Sequence, residues 1–336
     1  MAENFATKKK KTFLFGTYPQ RREFDEDLIR RLNEKAGALP TEKNAENWTP
    51  YPFYYKDLLK RYCWHIDLTE GDRKYRGVYF TEWRPILTCD DGYLTTRNGN
   101  RLNLTAQNDN GYDKKTIYWF RYDPIKWFVL FHGDELALLL SSRILSSNDY
   151  FHAKKQDDVE VLMQCGPIDA NSYCACDLRD FLLSHFYKEA FTEEERKRIV
   201  KADVVNDEQS TFPSDRKYRV GCKKNPYACV NTEDSLFALS LEEVTDKFVG
   251  FEADLASEDP LRQKMPTDYA QAMGAKTILD DCVFKGYGLW WLRSPEKDSE
   301  VKARFVMPDG SIQKDNGLVY RTDFGVVPAL WIKLKQ

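Results

Sequence analysis

Two apolar runs on either side of a short polar turn form the clearest hydrophobic pattern in the chain. The first occupies residues 125–131 and the second 135–142, with His132, Gly133 and Asp134 at the turn. Two β-rich runs joined by a short turn that contains glycine favour antiparallel pairing. The pattern therefore predicts a β-hairpin over residues 125–142.

The N-terminal part changes its periodicity near residue 20. Residues 13–20 form an aromatic strand pattern that ends at a proline turn. Apolar residues with helical spacing follow at Phe24, Leu28, Ile29 and Leu32. We expect a strand and then a helix. Residues 44–110 contain many aromatics and turn clusters, and they predict loop-rich packing with short strands such as 77–80.

Helical signals cluster in the middle of the chain. One helix face is marked by Leu178, Phe181, Leu182 and Phe186. Thr192 and Glu195 have the spacing of a capping box that opens a second helix towards residue 200. Residues 235–240 read as a short strand, and Ser240 with Glu243 offers another capping box.

The C-terminal part is rich in strand patterns. Strands are predicted at residues 289–293, 303–307, 317–320 and 325–332, with glycine turns at 309–310 and 316–317. Strands at both ends of the core with helices between them predict an α+β fold, not a βαβ array.

The domain organisation follows from length and composition. Hydrophobic residues make up 42% of the 336 residues, which is enough to bury a substantial core. We expect a flexible basic tail over residues 1–12 and a single α+β body over 13–336. Within that body, residues 13–112 form a loop-rich N-terminal part and residues 113–336 form the core.

Charge and cysteine usage exclude several classes of partner. The chain has 50 Lys and Arg against 53 Asp and Glu, so a long nucleic acid is not expected as a partner. No apolar stretch approaches the roughly 18 residues that span a bilayer, so we expect no membrane association and a cytoplasmic protein. The eight cysteines lack metal-ligand spacing and are expected to be mainly reduced thiols, with no metal and no cofactor.

Five separated blocks of the sequence resemble the DUF6273 family, a family of bacterial domains of unknown function. The blocks are residues 15–20, 123–130, 177–182 with 190–191, 290–295, and 325–331. The resemblance implies a C-type-lectin-like fold, related in shape to formylglycine-generating enzymes and to the variable proteins of diversity-generating retroelements. It implies no particular activity.

A mixture of polar and aromatic residues between the last strands is the candidate binding surface. Folds of the variable-protein type display ligand-contacting residues in this part of the chain, and the mixture could bind a carbohydrate or a protein partner. The alternatives are an ordinary solvated hairpin and, for the arginine after the tryptophan pair, an anchor that holds a loop. The candidate ligand-binding residues are Arg293, Ser294, Lys314, Asn316, Tyr320 and Arg321.

The sequence offers no recognisable catalytic constellation. None of the four histidines, His65, His132, His152 and His185, lies within a serine, cysteine or metal pattern. Catalytic residues stay unknown, and the leading hypothesis is a ligand- or protein-binding module of C-type-lectin-like type. The alternative is an unfamiliar or degenerate enzyme on a formylglycine-generating-enzyme-like scaffold.

Overall fold

The structure is a computed structural model that describes most of the chain. The described residues are 11–41, 45–51, 63–84, 86–88, 93–95, 101–103, 110–152, 168–221, 223–280, 282–313 and 317–334. The strands are β1 (Thr12–Arg22), β2 (Thr49–Pro50), β3 (Cys63–Glu70), β4 (Arg73–Phe80), β5 (Tyr93–Thr95), β6 (Arg101–Asn103), β7 (Ile117–His132), β8 (Leu136–Ser141), β9 (Ser146–Ser147), β10 (Ile199–Val200), β11 (Ala202–Val204), β12 (Thr232–Asp234), β13 (Trp290–Pro295), β14 (Ala303–Val306), β15 (Ile312–Gln313), β16 (Gly325–Val326) and β17 (Ala329–Lys333).

The helices are fewer and mostly short. They are α1 (Glu26–Ala36), α2 (residues 177–190), α3 (Glu193–Arg198) and α4 (Asp268–Ala272). Helix α2 consists of three consecutive segments, Asp177–Asp180, Phe181–Phe186 and Tyr187–Ala190. The middle segment of α2 has π-helical hydrogen bonding. Short 3₁₀ turns lie at Tyr173–Ala175, Glu208–Thr211, Arg216–Arg219 and Glu243–Thr245. These elements confirm the α+β class.

The long strand β7 organises an antiparallel sheet with the strand order β10-β17-β8-β7-β4-β3-β2. Strand β1 also pairs with β7. The predicted hairpin is confirmed, since β7 and β8 pair with Phe128 opposite Leu140. Strand β17 pairs with β8, with Leu330 opposite Leu139, so the hairpin lies in the same sheet as the last strand.

Both faces of this sheet are buried. Trp119 and Phe120 are neighbours on β7, and because strand side chains alternate, they enter two different hydrophobic clusters. Helix α1 covers the Trp119 side through Leu32 and Ala36. Asp25 caps this helix by accepting a hydrogen bond from the Leu28 N–H. The predicted N-terminal helix is therefore confirmed, and its apolar face packs on the sheet.

The N-terminal part is more regular than its sequence suggested. Strand β1 begins at Thr12, the last residue of the predicted tail, and continues past Pro19 to Arg22. Strands β3 and β4 pair over eight residues each, so they are longer than the short strands, such as 77–80, that the sequence predicts here. The charged Arg76 interrupts the apolar pattern that would have indicated a buried strand. It is buried in β4 because Asp67 across the hairpin and Glu189 of α2 accept its hydrogen bonds. Residues 1–10 lie outside the described residues.

A second, smaller sheet has the strand order β15-β14-β13-β16-β9, and its β13 and β16 are parallel. Residues 317–320 were expected to form a strand, but in the structure they lie in a turn region. The strand expected over 325–332 is split into β16 and β17, which belong to different sheets. Pro328 lies at the break, and proline lacks the N–H that a continuous ladder needs.

The capping boxes are present, but the elements they open are short. Thr192 and Glu195 exchange side-chain and backbone hydrogen bonds at the start of α3, which ends at Arg198. Ser240 and Glu243 do the same, yet only one 3₁₀ turn follows. No strand forms over 235–240, where one was expected: β12 ends at Asp234, and residues 235–240 contribute a single bridge, from Phe237 to Ala329. Within the described residues, no helix is both long and apolar enough to cross a membrane.

Candidate functional site

A cavity of about 210 Å³, lined by both polar and apolar groups, opens between α4, the loop that follows it and the segment before β16. The residues that line it are Ile86, Asn110, Gly111, Gln271, Gly274, Ala275, Lys276, Thr277, Leu279 and Asp323. Four separate chain segments meet here, so the cavity exists only in the folded protein. It is the candidate functional site.

Backbone hydrogen bonds fix the loop that follows α4. Thr267 caps the helix by accepting from the Ala270 N–H, and the Gly274 N–H donates to the Gln271 carbonyl at 2.9 Å where the helix ends. Gly274 has φ 112°, a conformation that favours glycine. The Lys276 N–H then donates to the Asp323 carbonyl at 2.9 Å. This bond places the Lys276 side chain at the mouth of the cavity.

The buried Arg84 and the half-buried Asn110 tie the cavity walls together. Arg84 donates from Nη2 to the carbonyls of Met273, at 2.9 Å, and of Thr322. Asn110 donates from Nδ2 to the carbonyls of Gln271 at 3.0 Å and Ala272 at 3.3 Å. Because these amide and guanidinium donors are held by backbone carbonyls, the walls are preorganised before any ligand arrives.

Asp323 and Arg321 form a two-bond ion pair beside the cavity. Arg321 donates from Nε to Oδ1 at 2.9 Å and from Nη2 to Oδ2 at 2.6 Å. Asp323 is buried, and the guanidinium lies 4.7 Å from the centre of the Phe324 ring. Bidentate geometry and the aromatic face both restrict the arginine. The Asp323 charge is therefore already neutralised, whereas Lys276 is exposed.

The structure divides the six predicted binding residues into three groups. Arg293 and Ser294 are buried, which corrects the expectation that they lie on a surface. Tyr320 and Arg321 are half-buried, and Arg321 contacts Asp323 of the cavity wall. Lys314 and Asn316 lie outside the described residues.

Arg293 and Ser294 have structural partners in the interior. Arg293 donates to Glu243 and to the carbonyls of Ala238 at 2.8 Å and Val205 at 3.0 Å. The Ser294 hydroxyl donates to the Ser210 carbonyl and accepts from the Leu241 N–H. The physical reason for the correction is that β13 is a central strand of its sheet, so its polar side chains meet other segments instead of solvent. Of the alternatives for Arg293, the loop anchor is the one observed.

Sequence reasoning missed the residues that supply most of the cavity wall. Asn110, Gln271 and Lys276 lie outside the five resemblance blocks and follow no motif. The only local signal was the cap at Thr267 with the glycine at 274, which marks a short helix that ends in a tight turn.

A second cluster of charged groups lies between β3, β4 and α2, and its partners are all internal. Arg76 donates to both oxygens of Asp67 and to Glu189, and the Tyr122 hydroxyl donates to Asp67 at 2.9 Å. Burial alone would raise the pKa of Asp67, but the hydrogen bonds from Arg76 and the charges of Arg76 and Lys74 hold it well below its usual range. This cluster therefore stabilises the fold and offers no open position.

The histidines do not assemble into a site. Burial, with a smaller effect from the Arg76 charge, lowers the pKa of His65 to about 4. Burial also lowers the pKa of His185. Within the described residues, no group of three or more His, Cys, Asp or Glu side chains is arranged to hold a metal ion.

Comparison with known proteins gives one match. The family model described as a domain of unknown function, DUF6273, matches residues 137–334, which is more than half of the chain. No curated protein and no solved structure matches the chain. The matched span contains most of the cavity wall, including Lys276 and Asp323.

Proposed function

We propose that this chain, which belongs to the DUF6273 family of domains of unknown function, is a binding module that takes a small carboxylate-bearing ligand in the cavity beside Asp323. The observation that carries the proposal is the combination of a preformed cavity, lined by both polar and apolar groups, with the ammonium group of Lys276 on its wall. The ligand class that we favour is an acidic saccharide residue.

The net charge of the groups at the cavity favours a ligand that carries a carboxylate. Asp323 is engaged by Arg321, and no ion pair of the Lys276 ammonium is found in the described part of the chain. The charged groups at the cavity therefore sum to one positive charge. An ammonium group at a partly open site attracts a carboxylate. It stays hydrated until the ligand binds, so the empty site carries little desolvation cost.

The volume of the cavity and the residues that line it favour a small polyhydroxylated ligand. The cavity of about 210 Å³ is below the roughly 300–1,000 Å³ of pockets that take drug-sized molecules. The Gln271 amide and the Thr277 hydroxyl both donate and accept hydrogen bonds, and Ile86 and Leu279 supply apolar contacts. A monosaccharide offers hydroxyl groups to the first pair and C–H groups to the second.

The lining supports binding better than catalysis. The described residues at the cavity include no histidine, cysteine, serine or glutamate, and both oxygens of the Asp323 carboxylate accept hydrogen bonds from Arg321 instead of from a nucleophile. We keep the C-type-lectin-like fold as part of this proposal. Its support is the antiparallel α+β architecture and the contribution of the C-terminal segment to the cavity.

Direct titration tests the proposal. Isothermal titration calorimetry is run with glucuronate, galacturonate and sialic acid, and with glucose and galactose as neutral counterparts. We expect the acidic sugars to bind, the neutral sugars to bind much more weakly, and affinity to fall with added salt. Lys276→Ala should weaken binding by about fivefold or more, which corresponds to about 1 kcal/mol.

Lys285→Ala is the matched control, because Lys285 is also an exposed lysine after α4 but does not line the cavity. Equal affinity of Lys276→Ala and the parent would place the site elsewhere. Binding of acidic peptides without any binding of acidic sugars would keep the carboxylate site and overturn the saccharide assignment.

A further inference from the structure

Cys174 and Cys229 are brought together from segments that lie far apart in the sequence. Cys174 belongs to the 3₁₀ turn Tyr173–Ala175, and Cys229 lies in the loop before β12. The Cys174 N–H points at the Cys229 sulfur at 3.4 Å, and the Cys174 thiol also donates to that sulfur. Both residues are partly exposed. The two thiols therefore form a close, accessible pair.

Rigid neighbours hold each member of the pair in place. Tyr173, next to Cys174, is buried, and its hydroxyl accepts from the Ala238 N–H. On the other side, the Cys229 N–H donates to the Asn206 carbonyl, and the Asn206 amide donates to the Val230 carbonyl at 3.2 Å. Because both backbones are anchored, the thiols meet at a high effective concentration.

The surroundings of the pair favour a thiolate. The thiol and the N–H of Cys174, together with the N–H of Tyr173, donate to Cys229 and lower the pKa of its thiol. Since the Cys174 proton is held in that hydrogen bond, the pKa of Cys174 is raised. Arg179 donates to the Cys174 carbonyl at 3.1 Å, and its charge is paired with the buried Asp234 carboxylate. Thiolate character with partial exposure is the environment of reactive cysteines.

We propose that Cys174 and Cys229 are a redox-active thiol pair that hydroperoxides oxidise to a reversible disulfide, with Cys229 as the attacking residue and Cys174 as the resolving residue. The Cys229 thiolate attacks one peroxide oxygen, and the O–O bond breaks to leave a sulfenic acid on Cys229 and hydroxide, which takes up a proton as water. The Cys174 sulfur then attacks the Cys229 sulfur. The S–S bond forms, the S–O bond breaks, and the departing oxygen leaves as a second water with the proton from Cys174.

Electrons and atoms balance in this sequence. Two thiols and one hydrogen peroxide give one disulfide and two waters, so the peroxide is reduced as the thiols are oxidised. A small dithiol reverses the change by thiol–disulfide exchange. The proposal is independent of the cavity beside Asp323, to which neither cysteine contributes.

Peptide mapping after mild oxidation tests the pair. The reduced protein is treated with a stoichiometric amount of hydrogen peroxide, the remaining thiols are blocked with a maleimide under denaturing conditions, and cross-linked peptides are identified by mass spectrometry. We expect a loss of two thiols and a link between the peptides that contain Cys174 and Cys229. Dithiothreitol should restore both thiols.

Single variants assign the two roles. In Cys174→Ser the sulfenic acid on Cys229 should persist and react with dimedone, whereas in Cys229→Ser the Cys174 thiol should stay reduced. Cys282→Ser is the matched control, because Cys282 is exposed and its removal should leave the cross-link unchanged. Circular dichroism confirms that each variant is folded. Linkage of any other pair, including one with the buried Cys176, or a parent that keeps both thiols, overturns the proposal.

Discussion

Arg293 on β13 donates two hydrogen bonds to the Glu243 carboxylate, across fifty residues of sequence. The arginine side chain is 2% exposed, and the guanidinium also donates to Asn206 at 3.1 Å. One side chain thus fixes the turn Glu243–Thr245 and the segment that carries Asn206 against the second sheet. The burial that removes Arg293 from the binding surface makes it a structural anchor.

Loss of the Arg293 guanidinium should destabilise the fold strongly. Arg293→Ala leaves Glu243 and three other acceptors without their donor, so we expect about 3–5 kcal/mol of destabilisation. Urea unfolding followed by tryptophan fluorescence measures it. Arg30→Ala is the control, since Arg30 is 63% exposed in its ion pairs and should change the free energy of unfolding by less than about 0.5 kcal/mol. Similar losses in both variants would contradict the anchoring role.

His65 should make the fold sensitive to mild acid. Its folded pKa of about 4 lies below the ordinary value of about 6.5, so the unfolded chain binds the proton more readily. Above about pH 6.5 the ring is neutral in both the folded and the unfolded chain, and its titration costs no stability. As pH falls from 6.5 towards 4, the unfolded chain takes up the proton first, so the free energy of unfolding decreases. Between pH 7 and pH 5, we expect this residue to cost on the order of 1 kcal/mol.

The variant that isolates this effect is His65→Phe. Phenylalanine keeps the ring contact with Tyr51 and removes a buried Nδ1 that has no hydrogen-bond partner among the described residues. Urea unfolding at pH 7 and pH 5 should show a smaller loss of stability for the variant than for the parent. Equal losses would mean that other groups cause the acid sensitivity.

Gly310 should tolerate no side chain. Its φ is +86°, and a Cβ there would lie 2.7 Å from the Asp259 backbone nitrogen and closer still to the Asp259 carbonyl oxygen. Gly71 is a matched control, because its φ of +62° is also left-handed but no atom lies within 4 Å of the Cβ position.

Thermal or urea unfolding should separate the two effects. Gly71→Ala should cost about 1 kcal/mol from backbone strain alone. Gly310→Ala should cost about 3 kcal/mol or more, since strain and a backbone clash add. A loss at Gly310 no larger than that at Gly71 would show that the segment around Asp259 yields easily.

The Cys174 contact should shift the pH profile of alkylation at Cys229. The thiolate is the reactive form, so a lowered pKa moves the rise in rate to lower pH, below the ordinary value of about 8.5. Cys174→Ala removes the thiol donor and should move the midpoint upwards. Iodoacetamide labelling of Cys229, quantified by mass spectrometry from pH 5 to pH 10, measures both midpoints. An unchanged midpoint in the variant would show that Cys174 has no influence on the thiolate.

Local patterns determined much of the secondary structure. The hairpin of β7 and β8, the amphipathic helix α1, the capping box at Thr192 and the turn at Gly310 each depend on a few neighbouring residues. Such signals act over one turn of helix or one pair of strands, so they can be read from the chain directly. For the same reason, the sequence indicated the α+β class and a C-terminal region rich in strands.

Tertiary structure alone decided which polar residues are accessible. Arg293 is buried because Glu243 and three other acceptors meet it, and Arg76 is buried because Asp67 and Glu189 do. Lys276 reaches the cavity because its N–H bonds to Asp323, and Cys174 meets Cys229 although 54 residues separate them in the chain. A charged or nucleophilic side chain carries no local mark of its distant partner. Such a side chain is buried or accessible according to whether a partner from another segment contacts it, and that contact forms only when the segments pack together.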